Sequence, residues 1–139
     1  MDKPRNNEAS RIYPTFRYHD SVRMVDWLVQ AFGFRVVRKY MDGDTIAHSE
    51  LAFGNALIMV GHVREDHFGS MVGKPGENGG KATYLAVDDA DAALERARQA
   101  GAEILEGPTD RDYGSREFIC RDPEGNVWVL GTYWPTSAV

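Results

Sequence analysis

The sequence contains a single cysteine, Cys120, so it forms no internal disulfide, and that count is compatible with a reducing cytoplasm. No apolar run approaches the length of a membrane span. Residues 1–8 are polar and carry no apolar signal region, so the expected location is cytoplasmic. Cationic residues are in the minority. The 16 Lys and Arg against 21 Asp and Glu leave a net charge of −5, which argues against nucleic acid or an anionic membrane as a partner. With 42% hydrophobic and 27% charged residues the composition is that of an ordinary soluble protein. A chain of 139 residues is long enough for one domain with a real core.

Residues 1–10 read as a loose polar tail. From 11 to 18 the chain alternates imperfectly, as a first strand would. Asp20 is an N-cap, and Met24, Trp27, Leu28, Ala31 and Phe32 follow helical spacing up to Gly33, a natural stop. Strands are expected over 34–40, 45–53 and 56–60, separated by turns at 42–44 and 54–55. Residues 61–81 form one long irregular, glycine-rich stretch, a length usually functional or disordered. Within it, Gly69 to Lys74 superficially suggests a phosphate-binding loop. The spacing is wrong, and Pro75 stands where a hydroxyl should follow the lysine, so that reading is rejected. The pattern then restarts: a strand over 83–87, the cap Asp89, a helical stripe of Ala90, Ala93, Leu94 and Ala97, and the stop Gly101. A strand over 102–106, a turn over 110–113 and a final hairpin follow. Asp20 matches Asp89, Gly33 matches Gly101, and Gly54-Asn55 matches Gly125-Asn126. Each half is therefore strand, helix, three strands.

In that hairpin Phe118 and Cys120 share one face, and Glu117 and Ile119 the other. The run Asp122-Pro123-Glu124-Gly125-Asn126 supplies the turn, and 127–130 is an apolar strand. The string Arg116-Glu117-Phe118 followed by Arg121-Asp122-Pro123-Glu124-Gly125-Asn126 resembles the last hairpin of the glyoxalase/bleomycin-resistance/extradiol-dioxygenase (vicinal oxygen chelate) superfamily, nearest its bleomycin-resistance-like branch. With the duplication, the resemblance covers roughly residues 11–133. It implies an α+β fold of two tandem βαβββ units, 11–61 and 82–134, in one domain. These would form a curved, barrel-like mixed sheet around a cleft with helices outside. Residues 62–81 would be the connecting loop and 135–139 a tail.

The resemblance also implies a divalent metal held by His and Glu, one from each of four strands. The matching positions are Tyr13, Glu50, Ala82 and Val129. Ala82 and Val129 have no donor atom, so no metal or other cofactor is expected. His48 and Glu50 share a strand face. They read as a polar lining of the cleft, as an acid/base pair, or as metal ligands with water. His62 and His67 read as solvated loop residues and His19 as a surface residue. Tyr13, Tyr84, Phe118 and Tyr133 are expected on the concave face, with Tyr113 from the preceding turn, as an aromatic lining for a flat organic ligand. Trp27 and Trp128 read as core. Cys120 reads as a buried thiol rather than a nucleophile. Arg116 either anchors an anionic ligand group or pairs with a carboxylate such as Glu50.

Taken with the resemblance, these readings favour a metal-free protein that binds a small organic, antibiotic-like, aromatic or cationic molecule. The alternatives are a metal-dependent lyase, isomerase or dioxygenase using Glu50 and His48, and a metal-free acid/base enzyme using the same pair. A homodimer is expected from the open strand edges and the aromatic tail at Tyr133 and Trp134.

Overall fold

The computed structural model describes residues 10–76 and 80–135, and these divide into two compact units at the gap between them. The expected tails lie largely outside the described residues, which exclude 1–9 and 136–139, and residues 77–79 of the connecting stretch are also excluded.

The first unit runs β1 (Thr15–Tyr18), α1 (Ser21–Phe32), β2 (Arg35–Asp42), β3 (Thr45–Phe53), β4 (Ala56–His62) and a short α2 (His67–Val72). Its sheet has the order β1-β4-β3-β2, with β1 parallel to β4 and the other pairs antiparallel. The second unit runs β5 (Thr83–Ala86), α3 (Ala90–Gln99), β6 (Glu103–Asp110), β7 (Arg116–Arg121) and β8 (Val127–Gly131). Its order, β5-β8-β7-β6, repeats the first, again with one parallel pair. The fold is therefore α+β, built from two βαβββ units of one topology, as the duplicated sequence pattern implies.

Local chemistry accounts for the boundaries. The carboxylates of Asp20 and Asp89 accept hydrogen bonds from the backbone N–H of Arg23 and Ala92, satisfying donors at each helix start. Gly33, at φ 87°, ends α1 in the left-handed conformation that costs glycine little. Three differences from the sequence reading have a clear physical cause. β1 begins at Thr15 rather than near 11, because Pro14 has no N–H to give the ladder; its carbonyl still accepts from Met59. β6 continues to Asp110, past register shifts that absorb Gly107 and Pro108, which an edge strand tolerates. The stretch after β4 is not wholly irregular. Asp66 caps α2 by accepting from the Gly69 N–H at 2.7 Å, and Arg17 on β1 holds the same carboxylate at 2.7 and 3.1 Å.

In each unit the helix covers one face of its sheet. Met24, Val25, Leu28 and Ala31 of α1 are buried with Tyr18, Leu51, Ile58 and Val60 of the strands. Leu94 and Ala97 of α3 are buried with Leu85, Phe118, Cys120, Trp128 and Leu130. Fully burying a large apolar side chain contributes roughly 1.5–3 kcal/mol, so these faces are what hold the two layers together. Both Trp27 and Trp128 are core, as their spacing implies. The Trp128 indole N–H finds its acceptor in the buried Asp122 carboxylate at 3.0 Å. Burial pushes the Cys120 thiol up to about 12, which leaves it protonated and inert.

Candidate functional site

His48 and Glu50 in the first unit and Glu117 in the second lie on the sheet face away from the helix. On β3 the alternation is reset by one extra residue: Tyr40 pairs with His48 but Met41 pairs with Ile46, so Ala47 has no partner of its own. The bulge lets Ile46 join the core, where its N–H donates to the buried Ser21 hydroxyl, while His48 and Glu50 take the other face. His48 Nε2 lies 2.9 Å from Glu50 Oε2, and Arg38 donates to Glu50 Oε1 at 2.9 Å. The hydrogen bond from His48, followed by that from Arg38, holds the Glu50 carboxyl below its ordinary value. The Tyr40 ring stacks on His48 with centroids 6.2 Å apart.

In the second unit the same face carries a pocket of about 470 Å³, lined by Tyr84, Tyr113, Glu117, Tyr133 and Pro135. Glu117 is buried at its base. Tyr113 donates to Glu117 Oε2 at 2.8 Å, Arg111 Nε donates to Oε1 at 3.1 Å, and Ser115 adds a side-chain hydrogen bond. Burial alone would raise the Glu117 carboxyl, but the hydroxyls of Tyr113 and Ser115 and the Arg111 guanidinium outweigh it and hold the group below its ordinary value. Tyr84 donates to the Tyr133 carbonyl at 2.8 Å. Burial raises the Tyr84 phenol, so it stays protonated as that donor. Tyr113 and Tyr133 meet edge to face, centroids 5.7 Å apart and planes at 79°.

The pocket brings together Tyr84, Tyr113 and Tyr133 and leaves out the other candidates. Phe118 is not on this face: strand alternation turns it into the core, where its exposure is 0%. Arg116 does not pair with Glu50. Its guanidinium is held by Asp91 and Asp110, each at 3.0 Å, on its own unit. Tyr13 precedes β1 and is half-buried. His62 is not a loop residue; it ends β4, and its Nδ1 is hydrogen-bonded to Ser21 Oγ at 3.1 Å.

Glu117 was not among the candidates, although the duplication marks it. Glu50 pairs with Met59 as Ile119 pairs with Val129. Two residues earlier on the same strands stand His48 in one unit and Glu117 in the other, so they are equivalent positions. The same registers match Val129 to Met59 and place Glu50 one strand away. The four matched positions then hold Tyr13, Met59, Ala82 and Val129, a set without a carboxylate or imidazole. The donor chemistry does not fit the hard or borderline divalent ion that the superfamily commonly uses. Among the described residues, no group of three or more His, Cys, Asp and Glu side chains could hold a metal ion.

Comparison with known proteins agrees with this fold. TioX from Micromonospora sp. ML1 superposes with a TM-score of 0.72 at 32% identity, covering 93% of this chain and all of that one. The fosfomycin resistance protein FosX from Mesorhizobium loti shares the fold with a TM-score of 0.65 at 20% identity, over 90% of this chain and 92% of that one. An uncharacterized protein of Mycobacterium bovis is 27% identical over 128 residues, 90% of this chain and 84% of its own length. Residues 13–130 match the Glyoxalase/Bleomycin resistance protein/Dioxygenase superfamily, and the chain belongs to it.

Proposed function

We propose that this protein binds a small organic molecule, without a metal, in the tyrosine-lined pocket of its second unit. The observation that carries the reading is the pocket itself: three tyrosines and a proline around one buried carboxylate. Its volume of about 470 Å³ lies within the range of sites that enclose small ligands. Aromatic walls with few polar anchors suit a flat aromatic body, and an antibiotic-like compound is one such ligand. The positions matched to the superfamily's metal ligands offer no suitable donors for a divalent ion.

A ligand that binds only the folded state stabilises it by about 2.7 kcal/mol at a hundredfold excess over its dissociation constant. A thermal-shift screen of aromatic compounds is expected to raise the melting temperature of the wild type and not of Tyr84→Ala. A screen with no hits overturns the reading, and so does a stoichiometric metal found by elemental analysis of the purified protein.

The contact between His48 and Glu50 favours a second reading, an acid/base pair acting on a bound substrate. An ionised carboxylate beside an imidazole orients the ring. Turnover of any ligand from the screen, abolished by His48→Ala and retained in Tyr84→Ala, would move the chemistry to this face.

A further inference from the structure

We infer that the pocket recognises its ligand through one neutral phenolic hydroxyl, delivered to Glu117 in place of the hydroxyl of Tyr113. The inference rests on the ligand-pocket reading above and names what the pocket selects. The position on Glu117 Oε2 is already occupied by a phenol, at 2.8 Å. That phenol belongs to the most exposed of the three tyrosines, at 52%. Tyr113 stands in the turn between β6 and β7, which is closed by the Arg111 carbonyl accepting from the Gly114 N–H. Gly114, at φ 91°, gives that turn a conformation few other residues adopt. A side chain so placed can leave the pocket without disturbing a strand.

The other partners of Glu117 are not exchangeable in this way. Ser115 is buried and also accepts from the Tyr133 N–H at 3.1 Å. Arg111 bridges Glu117 and Glu106 and lies closest to the carboxylate's other oxygen. When Tyr113 withdraws, one lone pair of a buried carboxylate loses its donor, which is costly unless another donor takes its place.

The charge balance decides the kind of donor. Arg111 compensates the buried charge of Glu117 directly. The second carboxylate on that guanidinium, Glu106, is 41% exposed, where water screens it. The demand at the pocket base is therefore for a hydrogen bond rather than for a positive charge. A ligand without a donor would leave the carboxylate short of a partner, and a cation would meet an ion pair already made.

The test compares three naphthalenes of one shape: 2-naphthol, 2-methoxynaphthalene and 2-(aminomethyl)naphthalene. Each is titrated at neutral pH into the wild type, Tyr113→Phe and Glu117→Gln, with binding followed by calorimetry. In the wild type 2-naphthol is expected to bind about threefold tighter than either analogue, because its hydrogen bond to Glu117 replaces the one from Tyr113; without that competitor the advantage should reach about tenfold, the factor a charge-assisted hydrogen bond supplies. Tyr113→Phe keeps the ring and removes the internal competitor. It should tighten 2-naphthol about threefold and leave 2-methoxynaphthalene unchanged, because apparent affinity scales with the fraction of sites that are free. Glu117→Gln should bring 2-naphthol down to the methoxy compound.

Equal binding of 2-naphthol and 2-methoxynaphthalene to the wild type overturns the inference and leaves the aromatic pocket standing. Tighter binding of the amine shows that charge is read instead. Weaker 2-naphthol binding in Tyr113→Phe shows that Tyr113 supports Glu117 rather than competing with the ligand. Failure of all three compounds to bind takes the pocket reading down as well. If Glu117→Gln does not fold, the wild type and Tyr113→Phe still decide.

Discussion

The hydroxyl of Tyr84 stands 2.7 Å from the point that a β-carbon would occupy on Gly131, with Ser115 Oγ at 3.0 Å and Glu117 Oε2 at 3.2 Å from the same point. Only a residue without a side chain lets these three oxygens converge on β8. Gly131→Ala should therefore push Tyr84 away from the Tyr133 carbonyl and deform the pocket base. We expect a loss of about 1–3 kcal/mol of stability from overpacking, together with loss of ligand binding. Gly107→Ala is the control. No heavy atom lies within 4 Å of its would-be β-carbon, so its stability should stay within about 0.5 kcal/mol of the wild type. Urea denaturation of both variants checks this, and an unaffected Gly131→Ala would show that the three oxygens are not held together.

Much of the fold is legible in the sequence because its signals are local. Asp20 and Asp89 announce the helices, Gly33 and Gly101 end them, and the Asp122 turn fixes the last hairpin. What resists reading depends on register. The bulge at Ala47 decides which face His48 takes, and nothing in its own segment marks it. Phe118 looks like a lining aromatic until alternation is counted from Glu117, which occupies the pocket instead. Glu117 looks like an ordinary exposed strand carboxylate. Its partners Arg111, Tyr113 and Ser115 lie within six residues, yet only the pairing with β8 shows that it is buried.

Asp122 anchors the final hairpin through both carboxylate oxygens. One accepts from the backbone N–H groups of Glu124 and Asn126, the other from the Asn126 side chain and the Trp128 indole. Asp122→Ala would strand an indole N–H in the core and open the turn. We expect a loss of about 2–4 kcal/mol, read by chemical denaturation. Asp122→Asn keeps an acceptor and should lose less. Equal losses would mean that the geometry of the turn, rather than the indole bond, dominates.

The tie between Arg17 and Asp66 makes α2 sensitive to acid. The hydrogen bond from Arg17, with that from the Gly69 N–H, lowers the Asp66 carboxyl from its ordinary 3.8 to about 2. The Arg17 guanidinium also lies over the Phe68 ring, 4.8 Å from its centroid. A depressed carboxyl adds its stabilisation above the unfolded value and loses it as pH falls through the folded one. Amide exchange in α2 should therefore not respond to the titration of this group near neutral pH and should accelerate, relative to β1, between about pH 4 and pH 2. Asp66→Asn should give faster exchange than the wild type at neutral pH, and the difference should close as pH falls toward about 2. An α2 that exchanges identically in the variant and the wild type would show that the ion pair does not hold it.

Association is the last expectation. β2 lies at the edge of its sheet and is exposed along its whole length, with Val36, Val37, Tyr40 and Met41 at 40, 38, 56 and 49%. An open edge carrying four large apolar side chains invites pairing, although Arg35, Arg38 and Lys39 on the same strand limit uncontrolled addition. A closed two-fold association buries the same patch on both copies and ends there. Sedimentation at micromolar concentration is expected to give a mass about twice the 15.6 kDa of one chain. Val37→Lys and Met41→Lys together should return it to that of one chain if β2 is the interface. A dimer that survives both changes but dissociates on Trp134→Ala would move the interface to the aromatic end of the chain. A wild type that sediments as one chain at every concentration would leave the pocket of the second unit to work alone.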